Sequence, residues 1–144
     1  MRKIRAGFTL IELLVVVIII GILAAIAIPQ YFKVVERSRA TEASSTFASV
    51  KSAQERVMAK NGKYTDRWDV LDITFKGAGG ENCTGPAECA QKTYTYLLGE
   101  DGSIYATRNA VPAPSKNYGR YTLIYDINTR EITCTQVNCI LDLI

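Results

Sequence analysis

The stretch Arg5-Ala6-Gly7-Phe8-Thr9-Leu10-Ile11-Glu12 decides how the rest of the chain is read, because a basic leader passes through one glycine into an apolar segment carrying one carboxylate. From Leu13 to Ile28 no charged residue follows. With Phe8 to Ile11 added, the run reaches the roughly 20 apolar residues that cross a bilayer core. A lone acid there costs about 2.5–3.5 kcal/mol on insertion scales and calls for a partner, so Glu12 reads first as a functional residue. Arg2, Lys3 and Arg5 on the other flank hold the N-terminus on the cytoplasmic side and send the bulk of the chain outward.

Two readings of this N-terminus compete. An ordinary secretory signal would be cut behind Ala25-Ile26-Ala27, a small-residue cleavage pattern. Against it stand the glutamate near the start of the apolar core and a helical pattern that continues past the cut. The residues Gly7-Phe8-Thr9-Leu10-Ile11-Glu12-Leu13, the Val/Ile run, Gly21, Ala24 to Pro29 and Tyr31 resemble a type IV prepilin. The match is dense over residues 6–32, about a fifth of the chain, and beyond that only the general layout resembles the family. The resemblance implies a prepilin peptidase that cuts after Gly7 and methylates the new amino group of Phe8.

Residues 1–7 hold three of the 17 basic side chains and no acid, so the remainder balances 14 basic against 14 acidic residues. The whole-chain charge of +3 therefore belongs to the leader, and charge indicates no nucleic-acid partner. A neutral remainder suits a protein that associates. Cleavage would also create an ammonium at Phe8, four residues before Glu12 on the same helix face. In family terms the glutamate of one subunit neutralises the N-terminal amine of the next and sets axial register. Such pairing specifies position more than it adds stability.

Beyond Pro29, Ala40, Ala43, Phe47, Val50, Ala53 and Val57 recur at three- and four-residue steps, the helical period. Lys33, Glu36, Arg37, Arg39, Glu42, Lys51, Glu55, Arg56 and Lys60 fall between them and are read as a solvated face of mixed sign. One helix from about Phe8 to Lys60 is expected, roughly 80 Å long, ending at Asn61-Gly62. Gly21 and Pro29 are its weak points, since glycine costs about 1 kcal/mol and proline about 3 in helix propensity. Bending or local unwinding between them is expected to accompany filament packing, by the same resemblance.

Residues 63–91 are turn-rich and read as a loop region whose Trp68, Val70, Leu71, Ile73 and Phe75 fold back onto the core. Four β-like runs follow: Lys92 to Leu98, Ser103 to Arg108, Arg120 to Asp126 and Glu131 to Cys134. Two of the links between them are short enough for hairpins. The expected fold class is α+β, a long N-terminal helix, membrane-spanning in its first half and amphipathic in its second, packed on a roughly four-stranded antiparallel sheet. The expected segments are a cytoplasmic leader over 1–7, a transmembrane and filament-core helix over 8–28, and an extracytoplasmic pilin globular domain over 29–144. Gly77 to Ala90 and Asn109 to Tyr118 are the candidate exposed filament surface.

Four cysteines facing an oxidising compartment point to two disulfides, and of three connectivities the sequence-local one, Cys83 with Cys89 and Cys134 with Cys139, is favoured. A zinc site competes, but the spacings are wide and the chain has no histidine. The second pair resembles the disulfide-bounded region after the last strand of many type IV pilins, although its loop, Thr135 to Asn138, is short. Without histidine the commonest general base is missing. Asp101, Asp126 and Asp142 are scattered, and surface solvation is their default. No enzyme, metal or cofactor is expected.

The resulting reading is a structural subunit of a type IV pilus, held first as a single-pass precursor in the inner membrane and then assembled with copies of itself into an extracellular filament. Its partners would be itself, the prepilin peptidase, the membrane and the assembly machinery. The alternative is a pseudopilin of a type II secretion system in a periplasmic pseudopilus, although the acidic calcium-binding C-terminal loop of major pseudopilins has no counterpart here. A remoter alternative is a membrane-anchored binding protein that never polymerises.

Overall fold

A helix needs a way to stop, and the long first helix of this chain stops on glycine. In the computed structural model, which describes residues 7–110 and 118–143, α1 spans Leu10–Asn61. Gly62 follows with φ +71° and donates its N–H to the Met58 carbonyl at 2.9 Å. This is the left-handed cap that satisfies an orphan carbonyl at little steric cost. The chain divides into two compact units, one ending at Val34 and one beginning at Val35.

In the first unit α1 is helical through Gly21 and Pro29 without interruption. Its side chains, from Leu10 through Ile28, are almost all exposed, including every Val, Ile and Leu. The helix is long and apolar enough to cross a membrane.

In the second unit the buried stripe of α1 is Glu36, Ala40, Ala43, Phe47, Val50, Ala53, Gln54 and Val57. It packs on a sheet of five antiparallel strands in sequential order. These are β1 (Cys89–Ala90), β2 (Tyr94–Leu98), β3 (Ile104–Arg108), β4 (Thr122–Tyr125) and β5 (Ile132–Cys134). The register pairs Tyr94 with Arg108, Tyr96 with Ala106, Leu98 with Ile104, and Ala106 with Leu123. Because side chains alternate between faces, this register puts all of those residues on the one face that is buried. Phe47 meets the Tyr125 ring at 6.0 Å, and Trp68 stacks on Phe75 at 4.8 Å.

The sheet therefore has one strand more than the sequence suggested, and the four expected runs are trimmed at their ends. Two-residue β1 pairs with β2 through Cys89 and Ala90, opposite Tyr96 and Thr95. A second helix, α2 (Val137–Leu143), was also not foreseen. Gly102 in the β2–β3 turn is required twice over. Its φ is +87°, and a Cβ there would stand 2.7 Å from the Tyr64 ring and from Ile127. Most of the connection Asn109 to Tyr118, expected to be exposed, lies outside the described residues.

Candidate functional site

Gly7, Phe8 and Thr9 precede the first helical turn and have no regular structure. Phe8 is 80 % exposed. The Gly7–Phe8 peptide bond thus sits in the kind of exposed, non-helical backbone that proteases engage. Thr9 is the N-cap of α1. Its hydroxyl donates to Glu12 Oε2 at 2.7 Å, its backbone N–H donates to the same oxygen at 2.8 Å, and the Glu12 N–H donates back to Thr9 Oγ1 at 3.3 Å. This reciprocal arrangement is a capping box. The signal was legible in Thr9-Leu10-Ile11-Glu12, yet a search for a cationic partner to the carboxylate passes over it. With the leader still attached, Glu12 is satisfied by its own chain.

Elsewhere the carboxylates considered for catalysis serve turns. Asp101 accepts from the Ser103 N–H at 3.0 Å and its hydroxyl at 2.8 Å. Asp126 accepts from the N–H groups of Asn128 and Thr129 at 2.8 and 3.3 Å. The side chain of Asp142 lies outside the described residues.

Residues 2–28 match the family model described as the prokaryotic N-terminal methylation motif. The type IV major fimbrial protein FimA of Dichelobacter nodosus is 40 % identical over 124 residues, covering 78 % of each chain. The chain belongs to the type IV pilin family. Two further relatives match over different extents. The type IV major pilin protein PilA of Myxococcus xanthus is 48 % identical over 60 residues, 42 % of this chain and 27 % of its own length. The type IV major pilin protein PilE1 of Neisseria gonorrhoeae is 32 % identical over 110 residues, 76 % of this chain and 56 % of its own.

The second notable site in this pilin is a buried polar cluster that reading α1's charges as a solvated face overlooked. Glu36 is 1 % exposed and Arg108, at the end of β3, is fully buried. Glu36 Oε1 accepts from Arg108 Nε at 2.7 Å and from the Tyr121 hydroxyl at 2.9 Å, while Oε2 accepts from Arg39 at 2.9 Å. Arg108 also donates to the carbonyls of Thr93 and Asn109, and Tyr94 shares a 2.8 Å hydrogen bond with Tyr121. Burial is the largest single influence on the Glu36 carboxyl and opposes its ionisation. The hydrogen bonds from Arg108, Tyr121 and Arg39, with the Arg108 charge, together outweigh it and hold the pKa below the usual 4.5. Burial likewise raises the Tyr94 and Tyr121 hydroxyls well out of the physiological range, so both remain neutral.

The cysteines of the pilin pair as Cys83–Cys89 and Cys134–Cys139, with Cα separations of 5.5 and 6.1 Å. The first loop is wrapped around Trp68, whose indole N–H donates to the Ala87 carbonyl at 3.0 Å and whose backbone N–H donates to Gly85 at 2.9 Å. The second ties the end of β5 to the first turn of α2.

Proposed function

We infer that this chain is the structural subunit of a type IV pilus, and that its N-terminal helix is both its membrane anchor and its means of assembly. The identity of 40 % over most of both chains to a major fimbrial protein carries this reading. An apolar first helix and the methylation motif support an inner-membrane precursor that becomes an extracellular filament. In this account a prepilin peptidase cuts between Gly7 and Phe8 and methylates the Phe8 amine. The role is structural, with no chemistry to catalyse. The relatives are fimbrial proteins and pilins, and none of the reported similarities favours the pseudopilin alternative.

The capping box gives the assembly step a physical form. Before cleavage Thr9 supplies the hydrogen bonds that keep Glu12 satisfied. Those bonds are already charge-assisted by the carboxylate, and cleavage adds a cation whose Coulomb attraction the neutral Thr9 donors lack. The carboxylate then trades a neutral local partner for the amine of an adjoining subunit, which sets register. Glu12→Ala tests this. The variant should insert and be processed as usual, while sheared filament falls by at least about tenfold. Abundant filament of normal appearance from Glu12→Ala cells would refute the role given to the carboxylate.

A further inference from the structure

Pro29 has no N–H to offer the Ala25 carbonyl, so α1 is weakest there. Past it, no side chain is buried until Glu36, and between Glu36 and Phe47 only Ala40 and Ala43 are buried. Three turns of helix thus have two methyl groups, and at their far end one long hydrogen bond from the Tyr96 hydroxyl to Thr46 Oγ1 (3.4 Å), with which to hold the sheet. The strong attachment at the start of this stretch is polar. Glu36 alone joins α1 to the end of β3 through Arg108 and to the residue preceding β4 through Tyr121. Gln54, 18 residues or five helical turns after Glu36, makes another buried polar attachment. It donates to the Thr65 carbonyl at 2.6 Å and accepts the Thr65 N–H at 3.1 Å. A helix docked through alanines can slide along its axis at low cost, and hydrogen bonds cannot follow it.

We propose that the Glu36–Arg108–Tyr121 cluster is a latch that fixes α1 on the sheet from Glu36 to Thr46 and stops unwinding that begins at Pro29 from entering the folded unit. The latch is a property of that unit. Its use in a loaded fibre rests on the pilin function above, where extension would be confined to the helix before Glu36 and the sheet would keep its grip.

Hydrogen–deuterium exchange of the full chain in detergent micelles tests the latch itself, independently of filament formation. In Arg108→Met, which strands the Glu36 charge, amides of residues 36–46 should exchange at least about tenfold faster while those of 122–134 keep their rates. Tyr121→Phe removes one donor and leaves the ion pair, so about threefold is expected over the same stretch, and this variant decides the matter if Arg108→Met does not fold. Unchanged exchange of residues 36–46 in the folded variants overturns the proposal. So does an equal rise in 36–46 and 122–134, which would mark general destabilisation.

Discussion

Phe47 is the only aromatic side chain that α1 buries, at 1 % exposure against the Tyr125 ring. Replacing it with alanine removes the largest apolar contact between helix and sheet. Truncating a buried phenylalanine costs about 3–5 kcal/mol. Alanine's better helix propensity returns about 0.5, leaving a net loss of about 2.5–4.5 kcal/mol. For a folding unit of residues 35–144, each kcal/mol lowers Tm by about 4 °C, so a fall of about 10–18 °C follows. The assay is thermal unfolding of the full chain in detergent, followed by the near-ultraviolet signal of Trp68 and the buried tyrosines. This signal reports packing, and the exposed Tyr31 and Phe32 are the aromatic residues of α1 before Val35 that add to it. Val34→Ala, at a site 65 % exposed, is the control and should leave Tm within about 2 °C. A fall of less than about 4 °C for Phe47→Ala would mean that the stripe of α1 does not hold the sheet as described.

The same transition followed against pH reports on Glu36. Its folded pKa lies below the unfolded 4.5, so its contribution is complete above about pH 4.5 and is lost as pH falls through the lower folded value. The groups facing it are Arg39 on α1, Arg108 on β3, Tyr94 on β2 and Tyr121 before β4, and burial holds both tyrosines neutral. Below pH 4.5 the Tm of Glu36→Gln should therefore fall less steeply than that of the parent, and parallel curves would refute the assignment. Arg130 holds φ +61° in the β4–β5 turn, a conformation costing a non-glycine residue about 1 kcal/mol. Arg130→Gly should stabilise by up to about 1 kcal/mol in a denaturant titration, and destabilisation would count against the turn geometry. Each disulfide closes a short loop, so Cys134→Ser with Cys139→Ser should cost about 2 kcal/mol and leave the chain folded by circular dichroism.

How much of this was legible depended on how long each signal ran. The stripe from Ala40 to Val57 repeats often enough to declare a helix, and the Tyr/Thr/Ile/Leu runs declare four strands. β1 has only two residues, too few for alternation to register, and its place is set by pairing with β2. α2 has seven residues, with no acidic residue in its first turn and no basic residue in its last to mark its ends. Glu36 shows a different kind of miss. It sits four residues before Ala40, in phase with the stripe, and Arg108 is in phase with Ile104 and Ala106 along β3. Position placed both inside, while residue type argued for solvent. Position prevailed because the two could be buried together, and one chain read linearly gives no sign that residues 72 apart will meet. The capping box was four residues of plain sequence, overlooked because Glu12 already had a reading.

Filament assembly turns on what happens at the Gly7–Phe8 bond. Intact-mass and peptide-fragment spectrometry of protein sheared from the cell surface tests it most directly. The predicted result is one dominant chain that lacks residues 1–7, begins at Phe8, and carries one methyl group on its N-terminal amine. A sheared filament containing chains that start at Met1 or at Ile28, or recovery of the protein from the cell envelope alone, would contradict it.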